Sequence, residues 1–220
     1  MRNARCFAIV ALILLAVTSS GCLDKTWSYD FTADSARLAD WHHAGIVENF
    51  VLTNEGLSMV EGTSGRISSP VLFSGDISMT IEVDIMVDAE DAAWFEICLM
   101  DEKLGYEENC AYVCFKELGH EGENWELGAY GPLVEESSAH WSMVPGLVRN
   151  GTNTLKLDKK GSTIKLLINN TLVATFDMSV CAAEDYYLSI SIGETDVGHI
   201  KLSKVNANCS GMITPDFPTP

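Results

Sequence analysis

The sequence predicts an all-β protein built as a two-sheet antiparallel sandwich or jelly roll. Short runs rich in Val, Ile and Thr recur from Thr26 onward, separated by Gly, Asn, Asp and Ser. The clearest run is Ile77–Val87, where apolar residues alternate with mostly polar ones, a pattern typical of a strand with one buried face. Many such runs with almost no helical periodicity favour stacked antiparallel sheets.

The remaining predicted strands show the same alternation or a high β-propensity. They cover residues 50–52, 57–60, 66–69, 93–100, 110–116, 154–158, 163–169, 172–178, 186–192 and 199–205. Gly161 indicates a hairpin turn with positive φ between two of these runs, and Asn169-Asn170 indicates a second tight turn. One short helix is predicted over residues 34–41, after a capping-type Asp34-Ser35 start.

The N-terminal segment predicts export. Residues 1–5 are basic, residues 6–17 are apolar, and small residues lead into Cys22, which is the order of a secretory signal. The apolar part is shorter than the ~20 residues that a membrane-spanning helix needs. Ser20-Gly21-Cys22 resembles the lipobox of prokaryotic lipoproteins, in which the Cys thiol receives a diacylglyceryl group, although Ser19 stands where that motif prefers Leu. The alternative is an ordinary signal peptide, with Cys22 as a free or disulfide-bonded thiol.

These features predict one globular domain in an exported chain. The expected divisions are a signal peptide at 1–21, an anchor and short linker at 22–25, a β-sandwich at 26–209 and a disordered Pro-rich tail at 210–220. Lipid on Cys22 would hold the domain at the outer face of the cell membrane or envelope.

The charge of the chain limits its partners. The formal net charge is −17, and much of the acidic excess lies between residues 82 and 136, where Lys103 and Lys116 are the only lysines or arginines. Binding to nucleic acid requires Lys and Arg that displace counterions from phosphates, so nucleic acid is excluded as a partner. Contact with the membrane is expected only through the lipid anchor.

The cysteines favour disulfides over a metal site. Five follow Cys22, namely Cys98, Cys110, Cys114, Cys181 and Cys209. Their spacing does not fit a metal site, and an exported chain meets oxidising conditions. Antiparallel pairing of 93–100 with 110–116 would set Cys98 nearly opposite Cys110, with Cys114 as the competing partner. Cys181 and Cys209 are then expected to form a second pair, which leaves one thiol free.

One hairpin carries a resemblance to a known superfamily. Asn153-Thr154-Leu155-Lys156-Leu157, followed by residues 160–173, resembles a signature hairpin of concanavalin A-like jelly rolls, found in laminin-G-like modules and in the 3-keto-disaccharide hydrolase domain family. That hairpin reads Asn-x-Leu-x-Leu, a Gly-centred turn, then a strand ending in Asn-Gly, and Asn170 here replaces the last Gly. Phe31, Trp41 and Leu57 fit the opening segment of these domains.

This resemblance implies a sandwich of the concanavalin A-like lectin and glucanase type, with a curved sheet of the kind that carries carbohydrate sites. It also implies glycan or another cell-envelope polymer as the partner, which is an analogy of fold. A structural Ca²⁺ occurs in this superfamily. The sequence has no compact Asp-x-Asp-x-Asp loop, so no metal ligand is assigned and no cofactor is expected.

Glu82-x-Asp84 suggests a catalytic motif. Laminarinases of the same superfamily carry Glu-x-Asp-x-(x)-Glu on one strand, with the outer carboxylates as nucleophile and acid/base. Here Met86 or Val87 occupies the third position, and Asp88 follows on the same strand face as Glu82. The simpler interpretation is a strand with a solvated polar face.

A ligand-binding face is expected around these acids. Trp94, Glu96 and Tyr112 should share the polar face with Glu82 and Asp84 if their strands are neighbours. Aromatic rings beside carboxylates suit sugars, because a ring stacks on C–H groups while a carboxylate accepts hydrogen bonds from hydroxyls. The alternative is that a loop covers this face and turns the aromatics into a second small core.

Three functions remain open at this point. The first is a glycan-binding or envelope-associated module that uses one face of a curved sheet. The second is a glycoside hydrolase or lyase in which Glu82, Asp84 and Glu96 are the candidate catalytic carboxylates. The third is a structural envelope protein that binds another protein.

Lipidation of Cys22 is testable by substitution. The Cys22→Ala variant is expected to leave the protein unlipidated and to shift it from the detergent fraction to the aqueous fraction, because the acyl chains supply most of the membrane affinity. Phase partitioning of the wild type and the variant measures this. An unchanged membrane fraction would contradict the anchor.

Overall fold

The structure is a computed structural model that describes residues 26–87, 94–100, 110–118, 124–130, 137–141, 145–148, 150–177, 185–193 and 198–218. Within these residues the chain is almost entirely β. The strands are β1 Thr26–Asp30, β2 His42–Ala44, β3 Phe50–Thr53, β4 Gly56–Met59, β5 Ser64–Ser68, β6 Val71–Ser74, β7 Ile77–Val87, β8 Trp94–Met100, β9 Cys110–Leu118, β10 Asn124–Tyr130, β11 Ser137–Trp141, β12 Gly151–Lys160, β13 Thr163–Ile168, β14 Thr171–Asp177, β15 Asp185–Gly193, β16 Gly198–Cys209 and β17 Ile213–Pro215.

The strands form two antiparallel sheets. One has eight strands in the order β14-β13-β12-β7-β16-β4-β3, with β1 added beside β16; we call it the back sheet. The other has nine strands in the order β11-β10-β9-β8-β15-β5-β2, with β6 beside β15 and β17 beside β6; we call it the front sheet. This arrangement confirms the predicted two-sheet jelly-roll sandwich.

The hydrophobic core lies between the inner faces of the two sheets. On β7, Ile77, Met79, Ile81, Val83 and Ile85 are at most 3% exposed, whereas the residues between them are partly exposed, as the alternation predicted. The front sheet contributes Phe95, Ile97 and Leu99 from β8 and Leu188, Ile190 and Ile192 from β15 to the same cluster. Phe31, Trp41 and Leu57 are also buried in it.

Two local predictions are wrong. Over residues 34–41 the structure has only a single 3-10 turn, Leu38–Asp40, closed by the Trp41 N–H donating to the Leu38 carbonyl. The burial of Trp41 in the core ends the turn there, because tertiary packing outweighs the weak local capping signal.

The tail is ordered where β17 pairs with β6, with Ile213 opposite Phe73. No helix among the described residues is long and apolar enough to cross a membrane.

The β12–β13–β14 hairpins match the prediction. Gly161 has a φ of 54°, and Asn169 and Asn170, the two residues between β13 and β14, have φ values of 48° and 66°. Positive φ at both central residues defines the type I′ turn that fits the twist of a hairpin. Asn at the position where related hairpins have Gly therefore preserves the turn.

The side-chain amides of Asn153 and Asn169 form hydrogen bonds that hold this hairpin in place. Asn153 is fully buried. Its Oδ1 accepts hydrogen bonds from the Val148 N–H at 2.8 Å and from Asn169 Nδ2 at 2.9 Å, and its Nδ2 donates to the Val148 carbonyl at 2.8 Å. Asn169 Oδ1 accepts from the Thr154 N–H at 2.8 Å. The two amides thus connect the start of β12, the end of β13 and the segment that precedes β12.

Removal of the buried amide is expected to destabilise the fold. Asn153→Ala leaves the Val148 N–H and the Asn169 amide without their partner, which should lower the free energy of unfolding by about 2–4 kcal/mol. Chemical denaturation measures the change. Asn208→Ala, at an exposed position of β16, is the matched control and should change stability by less than ~0.5 kcal/mol. Equal effects of the two substitutions would contradict the structural role of Asn153.

Candidate functional site

Glu82 and Asp84 lie on the outer face of the back sheet. They alternate on β7 with Val83 and Ile85, which are buried in the core, so their partly exposed side chains point away from it. Across the sheet, Lys204 of β16 is opposite Glu82, and Lys201 is opposite Asp84. The acids are therefore part of a surface of mixed charge.

Trp94, Glu96 and Tyr112 belong to the other sheet, so the predicted convergence of the five residues is wrong. Glu96 alternates with the buried Phe95 and Ile97 on β8 and faces away from the core on the outer side of the front sheet. Trp94 and Cys98 are each two residues from Glu96 on β8, so their positions are on the same strand face as that of Glu96. Tyr112 on β9 is directly opposite Cys98. The chain changes sheet between β7 and β8. Glu82 and Asp84 therefore lie on the outer surface of the back sheet, whereas Glu96 lies on the outer surface of the front sheet.

A polar cluster surrounds Glu96 on the front sheet. Arg66 and Ser191 are cross-strand partners, as are Ser191 and Glu96. Arg66 Nη2 donates to Glu96 Oε2 at 3.2 Å, and Arg66 Nε donates to Ser191 Oγ at 2.8 Å. In the next row, Ser68 Oγ donates to Ser189 Oγ at 3.1 Å. We call these five residues the Arg66 cluster.

The Arg66 cluster is largely buried although it lies outside the core. The side chains of Arg66 and Glu96 are 12% and 17% exposed, and Ser68 and Ser189 are fully buried. Shielded from solvent, a charged pair costs desolvation energy and needs good hydrogen bonds to persist. The guanidinium is a rigid fork of five donors, and the carboxylate has acceptor positions beyond the one that Arg66 uses. The cluster therefore holds a guanidinium, a carboxylate and serine hydroxyls in fixed positions on the outer face of the front sheet.

The ordered part of the tail packs at the side of this cluster. His42 Nε2 donates to the Asp216 carbonyl at 2.6 Å, and Tyr187 OH donates to Asp216 Oδ2 at 2.6 Å. The Asp216 N–H donates to the Pro70 carbonyl at 2.8 Å. His42 is opposite Ser68 on β5. The chain after β17 thus closes one border of the Arg66 cluster.

The cysteine predictions need correction. In the observed register Cys98 is opposite Tyr112, Cys110 is opposite Met100 and Cys114 is opposite Glu96. Cys98 is thus diagonal to both Cys110 and Cys114 and directly opposite neither, because β8 and β9 pair two residues away from the predicted register. Cys209 is 6% exposed with a free thiol, and its Sγ donates to the Met212 carbonyl at 3.3 Å, while its predicted pairing with Cys181 stays a prediction. Cys181 and Cys22 lie outside the described residues.

Sequence reasoning found Glu96 but missed the residues around it. Ser189 and Ser191 alternate with Leu188, Ile190 and Ile192, and a small polar residue at every second position of an otherwise apolar strand was a usable signal. Arg66 gave a weaker signal, because it lies in a short predicted strand and the strand that pairs with it could not be predicted. Among the described residues, no group of three or more His, Cys, Asp or Glu side chains could hold a metal ion.

Solved structures of a glucanase, a laminarinase and a CBM2 module resemble this chain. The endo-β-1,3-glucanase from Pyrococcus furiosus superposes with a TM-score of 0.63 at 11% identity, over 87% of this chain and 94% of its own. The laminarinase catalytic domain from Thermotoga maritima gives 0.61 at 11% identity, over 84% and 98%. The CBM2 module of the evolved Dit protein of Lactobacillus casei phage J-1 gives 0.61 at 10% identity, over 88% and 96%.

These similarities establish the concanavalin A-like jelly-roll fold. Identities near one residue in ten carry the fold and not the activity. No family model matches the chain, and no curated protein matches it in sequence.

Tyr187 is expected to make stability fall at alkaline pH. Burial, together with the hydrogen bond to Asp216 and the charge of that carboxylate, raises the pKa of Tyr187 from 10.0 to about 12. The stabilisation is therefore complete below pH 10 and is lost as the pH rises towards 12. Denaturation from pH 9 to pH ~12 should show a steeper loss in the wild type than in Tyr187→Phe.

Spectrophotometric titration of the phenols gives the control. Burial also raises the pKa of Tyr29 to about 12, so Tyr187→Phe should remove one late-titrating phenol and retain that of Tyr29. If the phenol lost in Tyr187→Phe titrates near the ordinary pKa of 10.0, the contact with Asp216 is contradicted.

Proposed function

We propose that the chain is a carbohydrate-active protein that holds a glycan against the outer face of the front sheet. The observation that carries the proposal is the Arg66 cluster, in which a guanidinium, a carboxylate and serine hydroxyls are held in fixed positions on a curved-sheet fold. Sugars present hydroxyls that both donate and accept, so a site with oriented donors and acceptors is chemically matched to them.

The strand positions beside the cluster support this proposal. Trp94 lies on the same strand as Glu96 and Tyr112 lies on the adjoining strand β9, both at positions of the same parity as Glu96. Aromatic side chains at such positions provide stacking surface for the C–H face of a sugar ring. The glycan-directed names of the similar structures, glucanase, laminarinase and transglycosylase in complex with NAG, point to the same class of ligand.

Cleavage of the glycan is the second candidate, and those enzyme names favour it over binding alone. A glycosidase of the usual kind needs two carboxyl groups about 5–5.5 Å or 6.5–9.5 Å apart. Glu96 supplies one on the front sheet. Glu82 and Asp84 cannot supply the other, because they lie on the outer face of the back sheet. A catalytic mechanism would therefore use Glu96 with a second carboxylate of the front sheet.

We also propose that Cys22 carries a lipid that holds the domain at the cell surface. The basis is the signal-like N-terminus and the Ser20-Gly21-Cys22 motif. β1 begins at Thr26, so only three residues would separate the anchor from the sandwich. The glycan would then be one within reach of the membrane, such as a component of the cell envelope.

A glycan-array screen of the full chain tests the site. For any glycan that binds, Trp94→Ala should weaken binding by ~1–3 kcal/mol if the indole is a stacking surface. Glu82→Ala is the matched control, because it removes a side chain from the other outer face and should leave affinity unchanged. Equal losses in the two variants, or retention of no glycan, would contradict the proposed site and favour a protein partner.

Measuring the products of each bound glycan separates binding from cleavage. If the protein is an enzyme, shortened or transferred glycans accumulate and Glu96→Gln lowers the rate by at least ~100-fold while binding persists. Binding without products identifies a recognition module.

A further inference from the structure

A second concave site lies on the back sheet, remote from the Arg66 cluster. It is a shallow cavity of about 290 Å³ at the β12–β13 hairpin, lined by Asp158, Lys160, Thr163 and Lys165. Lys160 is opposite Thr163 and Asp158 is opposite Lys165 in the strand register. We call these four residues the lysine pocket.

The carboxylate of the lysine pocket is already neutralised. Lys156 Nζ lies 2.8 Å from Asp158 Oδ2, and Ser78 Oγ donates to Asp158 Oδ1 at 2.5 Å. Burial opposes ionisation, but the hydrogen bonds from Lys156 and Ser78, together with the charges of Lys156 and Lys160, prevail and hold the pKa of Asp158 below its ordinary value. Both carboxylate oxygens of Asp158 therefore already accept a hydrogen bond from a residue outside the pocket.

The two lysines of the pocket have no such partner. Within the described part of the chain, neither Lys160 nor Lys165 forms an ion pair or a side-chain hydrogen bond, and both are exposed. They are diagonal neighbours on adjacent strands, where Cα atoms are ~7–8 Å apart, so their ammonium groups can converge on one ligand. Thr163 and Asp158 occupy the other diagonal of the same four positions.

The hairpin that carries these lysines is fixed in place. Asp76 Oδ1 accepts a hydrogen bond from the Gly161 N–H at 2.8 Å, which ties the turn to the start of β7. Lys159, next to Lys160, is buried on the core side with its Nζ 4.8 Å from the centre of the Tyr186 ring. The pocket is therefore formed before any ligand binds. Two acids neighbour the lysines in the register: Asp158, which is opposite Lys165, and Asp177, which is opposite Thr163 on β14.

We propose that the lysine pocket binds a phosphate group. Two converging ammonium groups and a hydroxyl donor match the charge and the oxygens of a phosphate, for which lysine is a common ligand in proteins. The two exposed lysines are cations on a chain whose net charge is −17, so they offer an anion an attraction that most of the acidic chain does not.

The position of the pocket indicates where the phosphate would come from. Thr26, the first residue of β1, is in the register row that runs through Asn208 and Ser78 to Asp158. Three strand spacings of ~4.8 Å thus separate the start of β1 from the pocket strand. If Cys22 carries lipid, four residue steps of at most ~3.6 Å each hold this end of the sandwich near the bilayer. A lipid headgroup is then within reach, and this part of the inference rests on the proposed anchor.

Titration with inorganic phosphate tests the pocket without the anchor. The full chain with Cys22→Ala should show saturable shifts of the Thr163 and Lys165 amide resonances. Lys160→Ala combined with Lys165→Ala should weaken binding by roughly tenfold or more. Lys201→Ala removes the same charge from the same sheet, where Lys201 is paired with Glu55, and should change affinity by less than about twofold. Equal losses in the control and the double variant, or no saturable shift at these amides, would overturn the proposal.

Vesicles separate the two sources of phosphate. The same Cys22→Ala chains are mixed with vesicles of phosphatidylglycerol and with vesicles of phosphatidylcholine. A headgroup ligand predicts that phosphatidylglycerol vesicles retain the Cys22→Ala chain and lose it when both pocket lysines are replaced. Saturable binding of inorganic phosphate without retention on vesicles would assign a soluble phosphate. Glycan binding should be unaffected by the lysine substitutions, so failure here leaves the front-sheet site standing.

Discussion

Hydrophobic contact between the inner faces of the two sheets is the interaction on which the rest of the structure depends. β7 is an inner strand of the back sheet, and β15 is an inner strand of the front sheet. The buried apolar residues of both strands belong to one hydrophobic cluster. Because a strand alternates its side chains, burying one face commits the other to the outer surface of its own sheet. The polar residues at outward-facing strand positions therefore belong to one of two separate surfaces.

The two outer surfaces differ in how they handle charge. On the back sheet, acids and lysines alternate across strands and remain partly exposed, as for Glu82 opposite Lys204. Such pairs contribute little to stability because water screens them. On the front sheet, Arg66 and Glu96 are nearly withdrawn from water and are joined by Ser191. Such a network costs desolvation energy, which its hydrogen bonds offset.

Small side chains make the front-sheet network possible. Ser189 and Ser191 on β15 leave room for the long side chain of Arg66 to lie across the strand and reach Glu96 on the far side. Larger residues at these positions would fill that space. At the border, the tail crosses from β17 to Asp216 and is held by Tyr187 and His42. The hydrogen bonds of the tail thus define where the surface ends.

Much of the fold was decided by local pattern. The alternation of Ile77–Val87, the positive φ of Gly161 and the turn at Asn169-Asn170 each depend on residues near in sequence, and each could be predicted. The order of strands within the sheets could not, because it depends on which apolar faces bury each other best over the whole chain. The prediction of a helix over 34–41 was wrong for the same reason, because Trp41 is buried in the core.

The sequence by itself determined that the chain is a β-sandwich, which residues of each strand face inward, and that Glu96 lies on a polar face. Only the tertiary structure decided that Glu82 and Asp84 are on the opposite surface from Glu96, because the chain changes sheet after β7. It alone also brought Arg66 to Glu96 and set Cys98 opposite Tyr112. These are contacts between strands distant in sequence, and their register follows from core packing, which a pattern within one strand does not contain.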